Sequence, residues 1–338
     1  MKKYSFLLSG LVFLMLGART ANAETVNPVT DGAKLSISKE LNLAEDVLSP
    51  KTTFNFTIAS DDSVVDGEQK EGLKIYKGKI DGLITNQGIS YSNKDNQNSK
   101  EKTAVFDFSS VQFDRVGIYR YVVTENKGNV AGISYSGQKY TVDVYVLNEG
   151  DTVKAKYIVS QNENKEKEPI KFKNQLKTTS LKVKKSVAGN AGDRSEKFKF
   201  TLTVNPSTEY EAGSSIKVKI QSKHQTEEKE IKIGTPFDFD LADADTALID
   251  KLPVGVTYTV NEVADGYVQS ATLLDGTDTK EYKLGGDVTS DETNDEITVT
   301  NTKNVNTPTG VAMTIAPYAA VTLVGVGGAL YLLKKKKA

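Results

Sequence analysis

Two tandem all-β sandwich domains are expected from this chain, on three observations. Short segments of alternating apolar and polar residues recur along it, among them Lys34–Lys39, Thr53–Ile58, Tyr119–Thr124, Tyr140–Val146, Phe198–Val204 and Glu296–Thr300. A period of two marks a strand with one buried face. Clusters of Gly, Asn and Asp separate these segments, and no convincing amphipathic helix precedes the C-terminal tail. Finally, the chain repeats itself in order. Leu35–Lys39 is echoed by Leu181–Lys185, Gly117–Glu125 by Gly255–Glu262, and Ile170–Asn174 by Ile297–Asn301. Many short strands repeated in two halves describe two sandwiches packed from facing sheets.

The chain opens with Lys2-Lys3, an apolar run from Phe6 to Gly17, and Ala21-Asn22-Ala23. This order reads as a secretory signal over 1–23, cleaved after Ala23. The sandwich domains are then expected over 24–176 and 177–305, with the boundary near Gln175 to Ser180. The chain closes with Asn306-Thr307-Pro308-Thr309-Gly310, an apolar stretch over 311–333 and a basic tail over 334–338 that holds Lys334 to Lys337. The apolar stretch is long enough as a helix to cross a hydrocarbon core of about 30 Å. The lysine block is a cytoplasmic stop. Pro308 biases Thr307 toward an extended backbone. An ordinary single-span tail anchor is the alternative for this end of the chain.

Composition removes several functions. With no cysteine, a secreted chain of this size has neither disulfides nor thiolate metal sites. Its one histidine, His224, lies in the polar run Ser222-Lys223-His224-Gln225 and reads as a surface residue. Ser-His-Asp hydrolysis and His-based zinc chemistry have no support, and no metal site or cofactor is expected. The formal net charge is −1, with acids and lysines interspersed, so there is no basic stripe for nucleic acid. The acidic run from Asp238 to Asp245 lacks the Gly and terminal Glu of an EF-hand loop. Phe237, Phe239 and Leu241 alternate there as in a strand.

The phase of the repeats carries the chemistry. Residues two apart in a strand share a face, which groups Lys39 with Leu35 and Ile37, Glu125 with Tyr121 and Val123, and Asn174 with Phe172. The second half groups Lys185 with Leu181 and Val183, Glu262 with Tyr258 and Val260, and Asn301 with Val299. Each half thus ends three inward apolar stripes on a Lys, a Glu and an Asn, and Lys and Glu are almost never buried unpaired. Burial lowers a lysine pKa and raises a glutamate pKa, so such a pair can share a proton as neutral amine and neutral acid. The neutral amine is a nucleophile. A protonated Glu can donate to the Asn carbonyl and shuttle the proton to departing ammonia. The product is a Lys–Asn isopeptide bond, made once, within the fold. A buried hydrogen-bonded network without a bond, or polar groups reaching solvent at strand ends, are the alternatives.

These residues resemble the self-crosslinking immunoglobulin-like, collagen-adhesin B-type domains of Gram-positive pilins. The ending Asn306–Gly310 with its span and basic tail is similar to a sortase sorting signal, although Pro stands third in the pentapeptide instead of second. From signal to tail the chain resembles the streptococcal T-antigen-type major pilins. The resemblance implies triads Lys39–Glu125–Asn174 and Lys185–Glu262–Asn301, with Glu125 and Glu262 as the catalytic acids. It also implies sortase cleavage between Thr309 and Gly310 and transfer of Thr309 to a lysine of the next subunit. By position, two residues before Pro169, that acceptor is Lys167. The residues themselves do not choose it over Lys165, Lys154 or Lys156, and the Tyr-and-Pro pilin motif of other pilus families is absent.

The implied function is a pilus shaft subunit: a secreted, surface-anchored, non-enzymatic virulence and adhesion component. Its partners would be sortase, identical subunits and cell-wall peptidoglycan, with minor pilins and host surfaces as further candidates. A monomeric wall-anchored adhesin of the same fold is the alternative. A surface enzyme lacks any nucleophile–base set beyond the self-reacting triads. A glycan-binding groove has no residues that locate it. The implied linkage also sets a covalent load path from 167 through 185, across to 301 and on to 309, which leaves the first domain beside the path.

Overall fold

The computed structural model describes residues 29–305. The signal segment with Ala23, the pentapeptide with Thr309 and Gly310, the apolar stretch and the basic tail lie outside the described residues. Among the described residues there are 23 strands and no helix.

The first half holds β1 (Val29–Asp31), β2 (Lys34–Asn42), β3 (Thr52–Ser60), β4 (Gln69–Lys70), β5 (Leu73–Lys77), β6 (Asn86–Tyr91), β7 (Glu101–Asp107), β8 (Gly117–Glu125), β9 (Ile133–Ser134), β10 (Lys139–Glu149), β11 (Thr152–Gln161) and β12 (Lys171–Leu176). The second holds β13 (Thr178–Ala188), β14 (Phe198–Val204), β15 (Ser215–Gln221), β16 (Thr226–Lys232), β17 (Phe237–Leu241), β18 (Thr246–Pro253), β19 (Thr257–Val263), β20 (Val268–Asp275), β21 (Asp278–Glu281), β22 (Asp287–Thr289) and β23 (Asp295–Thr302).

Each half forms two sheets. In the first, one sheet runs β1-β11-β10-β8-β3-β6, with β5 continuing along β8 and β4 on β5, and the other runs β7-β2-β12-β9. In the second, the sheets run β16-β15-β18-β13-β23-β20-β21 and β17-β14-β19-β22. Two separate apolar cores result, one drawn from Leu35 to Leu176 and one from Leu181 to Val299. A single residue, Lys177, separates β12 from β13. The halves also touch directly. Leu48 packs on the second core, the Lys51 N–H donates to Glu209 O at 2.8 Å, and the Asn93 amide bridges Ser49 O and Glu209 O at 2.7 Å each.

The alternation places the strands as expected. β14 reads buried, exposed, buried along Phe198-Lys199-Phe200, and β17 buries Phe239 and Leu241 while exposing Asp238 and Asp240, so the acidic run is the solvated face of a strand. Some outward positions depart from the period, Ser38 and Asp143 among them. Ser38 is buried beside Lys39, because β2 is an interior strand and the Ser38 N–H and Oγ both reach Ile170 O.

The register matters most where each half closes. The first long strand and the last strand of each half are parallel neighbours: β2 with β12, and β13 with β23. Lys39 stands opposite Phe172 and Leu41 opposite Asn174. Lys185 stands opposite Val299 and Val187 opposite Asn301. In both halves the asparagine is therefore two positions beyond the lysine, on the same inward face.

Candidate functional site

Burial of the six polar residues follows from this register. Lys39, Lys185 and Asn301 are 0 % exposed, Asn174 1 %, Glu262 5 % and Glu125 8 %. The lysine and asparagine come from adjacent parallel strands of one sheet, and the glutamate reaches across from the facing sheet at the end of β8 or β19. In the first core three residues far apart in sequence thus meet; in the second Lys185 and Glu262 meet, with Asn301 buried two register positions beyond Lys185.

In the first site Lys39 Nζ donates to both Glu125 carboxylate oxygens at 3.0 Å. Asn174 Nδ2 donates to Glu125 Oε1 at 2.6 Å, and the Ser136 backbone N–H donates to Asn174 Oδ1 at 2.7 Å. The ammonium also lies 4.3 Å from the centre of the Phe54 ring. Burial pushes the Lys39 pKa down to about 8, against the opposing pull of Glu125. Burial thus brings the Lys39 ammonium closer to giving up its proton than it would be in water.

The second site has the same members in a different state of satisfaction. Lys185 Nζ and Glu262 Oε1 are 2.6 Å apart without hydrogen-bond alignment, and Asn301 Nδ2 and Oδ1 both lack a hydrogen-bond partner. Gln269 Nε2 donates to Glu262 Oε2 at 2.7 Å. Burial lowers the Lys185 pKa, with Glu262 opposing, and Phe198 lies under the ammonium at 4.3 Å. A buried polar atom left unpaired costs about 1–3 kcal/mol. A wholly buried amide with neither end satisfied therefore calls for an explanation.

Lys39, Glu125 and Asn174 form one hydrogen-bonded cluster in the first half; in the second, Lys185 meets Glu262, and Asn301 is buried opposite Val187 on the neighbouring strand. The glutamate does not bond to the asparagine carbonyl in the first site: Glu125 faces the amide nitrogen, and the carbonyl is taken by the Ser136 N–H. Sequence reading missed Ser136 and Gln269, whose contacts depend on a loop path and a strand pairing. It also missed the aromatic floor, although a signal was there. Phe54-Asn55-Phe56 and Phe198-Lys199-Phe200 repeat the same spacing, and the first ring of each lies under the lysine.

Another buried charge cluster, which the sequence reading missed as well, lies in the first half. Arg120 grips Asp143 with Nε at 2.7 Å and Nη2 at 3.1 Å, and Lys70 Nζ adds 2.9 Å. Arg120 and Lys70 hold that carboxylate through charge-assisted hydrogen bonds, which makes it a structural group.

Lys167 is exposed at an isolated antiparallel bridge to Gln161, on a turn built around Asn162. Asn162 Oδ1 accepts the Asn164 and Glu166 N–H groups at 3.0 Å each, and Lys165 takes a φ of 64°. Lys154 and Lys156 are both engaged by Glu149. Lys167 and Lys165 carry no ion pair among the described residues. His224 is exposed.

An all-β chain whose two cores each bury a Lys–Glu–Asn cluster beside parallel terminal strands belongs with isopeptide-type surface-fibre proteins. A family described as the Spy0128-like isopeptide containing domain matches residues 35–177, and a domain of unknown function, DUF7601, matches residues 179–303. A pilin of Streptococcus pyogenes serotype M1 is 38 % identical over the whole of both chains. Among solved structures, the major pilin T3.2 from S. pyogenes serotype GAS13637 is 42 % identical with a TM-score of 0.77, covering 82 % of this chain and 99 % of that one. A further S. pyogenes major pilin is 35 % identical with a TM-score of 0.75, covering 82 % and 100 %. The chain belongs to the streptococcal major pilins, and it is a structural subunit of that kind.

Proposed function

We propose that each half is an immunoglobulin-like, collagen-adhesin B-type domain, over 24–176 and 177–305, and that each closes on an autocatalytic isopeptide bond. The bonds are Lys39–Asn174, assisted by Glu125, and Lys185–Asn301, assisted by Glu262. The observation that carries this is the second site, where a fully buried amide has no hydrogen-bond partner beside a poorly aligned Lys–Glu contact. Loss of the amide nitrogen as ammonia removes the unsatisfied donor and converts both lysine and asparagine into one neutral amide. The reaction starts when Glu takes the lysine proton. The neutral amine attacks the Asn carbonyl carbon, the glutamic acid protonates the departing nitrogen, and the carboxylate recovers a proton from the new amide nitrogen. Each bond releases one ammonia, a loss of about 17 Da of covalent mass. Intact mass of mature Glu24–Thr309 is expected to fall about 34 Da short of the sequence mass, and Glu125→Ala or Glu262→Ala to halve that deficit. A mass equal to that of the sequence overturns both bonds.

The subunit is secreted through the 1–23 signal, cleaved after Ala23, and held by the 311–333 span and the basic tail. Sortase then cleaves between Thr309 and Gly310 and joins Thr309 to Lys167 of the next subunit, building a polymer finally attached to peptidoglycan. Lys167 suits an acceptor because it is exposed on a turn and free of ion pairs among the described residues, whereas Lys154 and Lys156 are held by Glu149. Wall extracts are expected to give a ladder of covalent polymers that Lys167→Arg abolishes. A ladder that persists in Lys167→Arg and disappears in Lys165→Arg moves the acceptor by two residues. A single wall-linked band in the parent strain favours a monomeric adhesin instead.

A further inference from the structure

We propose that the backbone N–H of Ser136 is the oxyanion donor of the first crosslinking site, so that the loop after β8 takes part in making the bond. This rests on the isopeptide reading above and adds a group that the Lys–Glu–Asn pattern does not contain.

The geometry fixes the roles. Asn174 presents Nδ2 to Glu125 Oε1 at 2.6 Å and Oδ1 to the Ser136 N–H at 2.7 Å. The opposite amide orientation would set oxygen against carboxylate and NH2 against N–H, two repulsive contacts, so the partners dictate which end is which. The amide nitrogen, which must leave, faces the acid that protonates it. The carbonyl oxygen, which must become negative, faces a neutral donor. Lys39 Nζ, bound to the same carboxylate at 3.0 Å, is the attacking group. As Nζ bonds to the Asn174 carbonyl carbon, the C=O electron pair moves onto Oδ1 and is held by the Ser136 N–H. Glu125 passes its proton to Nδ2 and takes one from Nζ. Collapse of the oxyanion restores C=O and expels ammonia, with no proton or electron left over.

Pre-placed donors aimed at developing oxyanions carry large rate effects, because in a water-free site nothing must reorganise to provide them. Ser136 is held in place for this. Its loop pairs with β12 through Ser134 opposite Gln175 and Ile133 opposite Leu176. Tyr135 packs against Phe54, the ring under Lys39, and Tyr135 Oη accepts the Val130 N–H at 3.2 Å. The loop that supplies the donor is thus braced against the strand that carries the asparagine and the ring that floors the lysine. At the second site no described group donates to Asn301 Oδ1, which makes that site an internal reference.

The test is a time course of bond formation in newly synthesised mature chain, quenched in denaturant and read by mass, with the Lys39–Asn174 and Lys185–Asn301 linked peptides quantified separately. In Ser136→Pro, which removes this N–H together with the Oγ that accepts the Gln138 N–H, the first bond is expected to form at least about 10²-fold more slowly, while the second keeps its parent rate. If the proline variant does not fold, an α-hydroxy acid incorporated at position 136 replaces the N–H by an ester oxygen with the chain path retained. The same ester at Gln138, whose N–H donates to Ser136 Oγ at 3.3 Å, is the control and is expected to leave the first bond at its parent rate. An unchanged first-bond rate in the position-136 variant overturns the proposal while leaving the isopeptide reading intact. Equal slowing by the esters at 136 and 138 also overturns it, since that marks a loose loop. Absence of either linked peptide from the parent chain removes the isopeptide reading itself.

Discussion

Preventing the crosslinks is expected to lower the melting temperature of each half by about 15–20 °C. The bonds would close loops of about 135 residues, from 39 to 174, and about 116 residues, from 185 to 301, and closure of such loops is worth about 5 kcal/mol each. Asn174→Ala and Asn301→Ala are the suitable variants, because they leave each lysine paired with its glutamate. Glu125→Ala would instead strand a buried ammonium, which costs about 3–5 kcal/mol in its own right. The uncrosslinked Asn174→Ala form is also expected to respond to pH. Burial holds Lys39 at about 8 against the ordinary lysine value of 10.5. Between these values the unfolded chain binds more protons than the folded one, so stability rises with pH through that window and is flat below it. The rise is about 3 kcal/mol at most. The parent chain, whose Lys39 would be an amide, should lack that rise. Calorimetry and denaturant titration at pH 7, 8.5 and 10 on the two proteins check both points. Equal melting of parent and Asn174→Ala forms would dispose of the first bond as a stabiliser.

Pulled end to end, a fibre made from Glu262→Ala subunits is expected to lengthen by up to about 400 Å per subunit, and one made from Glu125→Ala subunits to keep its length. If tension enters at Lys167 and leaves at Thr309, it passes along β12, through Lys177 into β13, and out along β23. β13 and β23 are parallel neighbours over eight paired positions, from Leu181 opposite Asp295 to Ala188 opposite Thr302. Their opposite ends are pulled apart, so the contact is loaded in shear. A covalent Lys185–Asn301 bond would remove everything between 185 and 301 from extension. Without it that segment can pay out at about 3.4 Å per residue. The Lys39–Asn174 bond lies off this path and would serve against heat and proteolysis. Single-fibre force spectroscopy decides the matter, and equal extension in the two variants would reject the load path.

Much of the site was legible in the sequence because strand periodicity is local. Lys39, Glu125 and Asn174, and their counterparts Lys185, Glu262 and Asn301, each end an apolar stripe whose inward phase can be counted without any tertiary information. Finding the pattern twice in the same order linked the three segments to one another. The Phe54 and Phe198 rings were equally visible as a repeated spacing, but a ring under a lysine implies a particular sheet partner, and pairing is not encoded in a single strand. The Ser136 N–H carries no side-chain signature at all. Any residue but proline at position 136 would supply it.

By itself, then, the sequence determined the strand segments, their inward faces, the division into two halves, and the identity of six of the buried polar groups, since each depends only on residue type and spacing. Tertiary structure alone decided that β2 lies parallel to β12 and β13 to β23 with the asparagine two positions beyond the lysine, that each glutamate arrives from the facing sheet, and that the first asparagine turns its nitrogen to the acid and its oxygen to a backbone N–H. Those are long-range choices of register and loop path. They are settled by which faces can be buried together and which polar atoms find partners once water has been excluded.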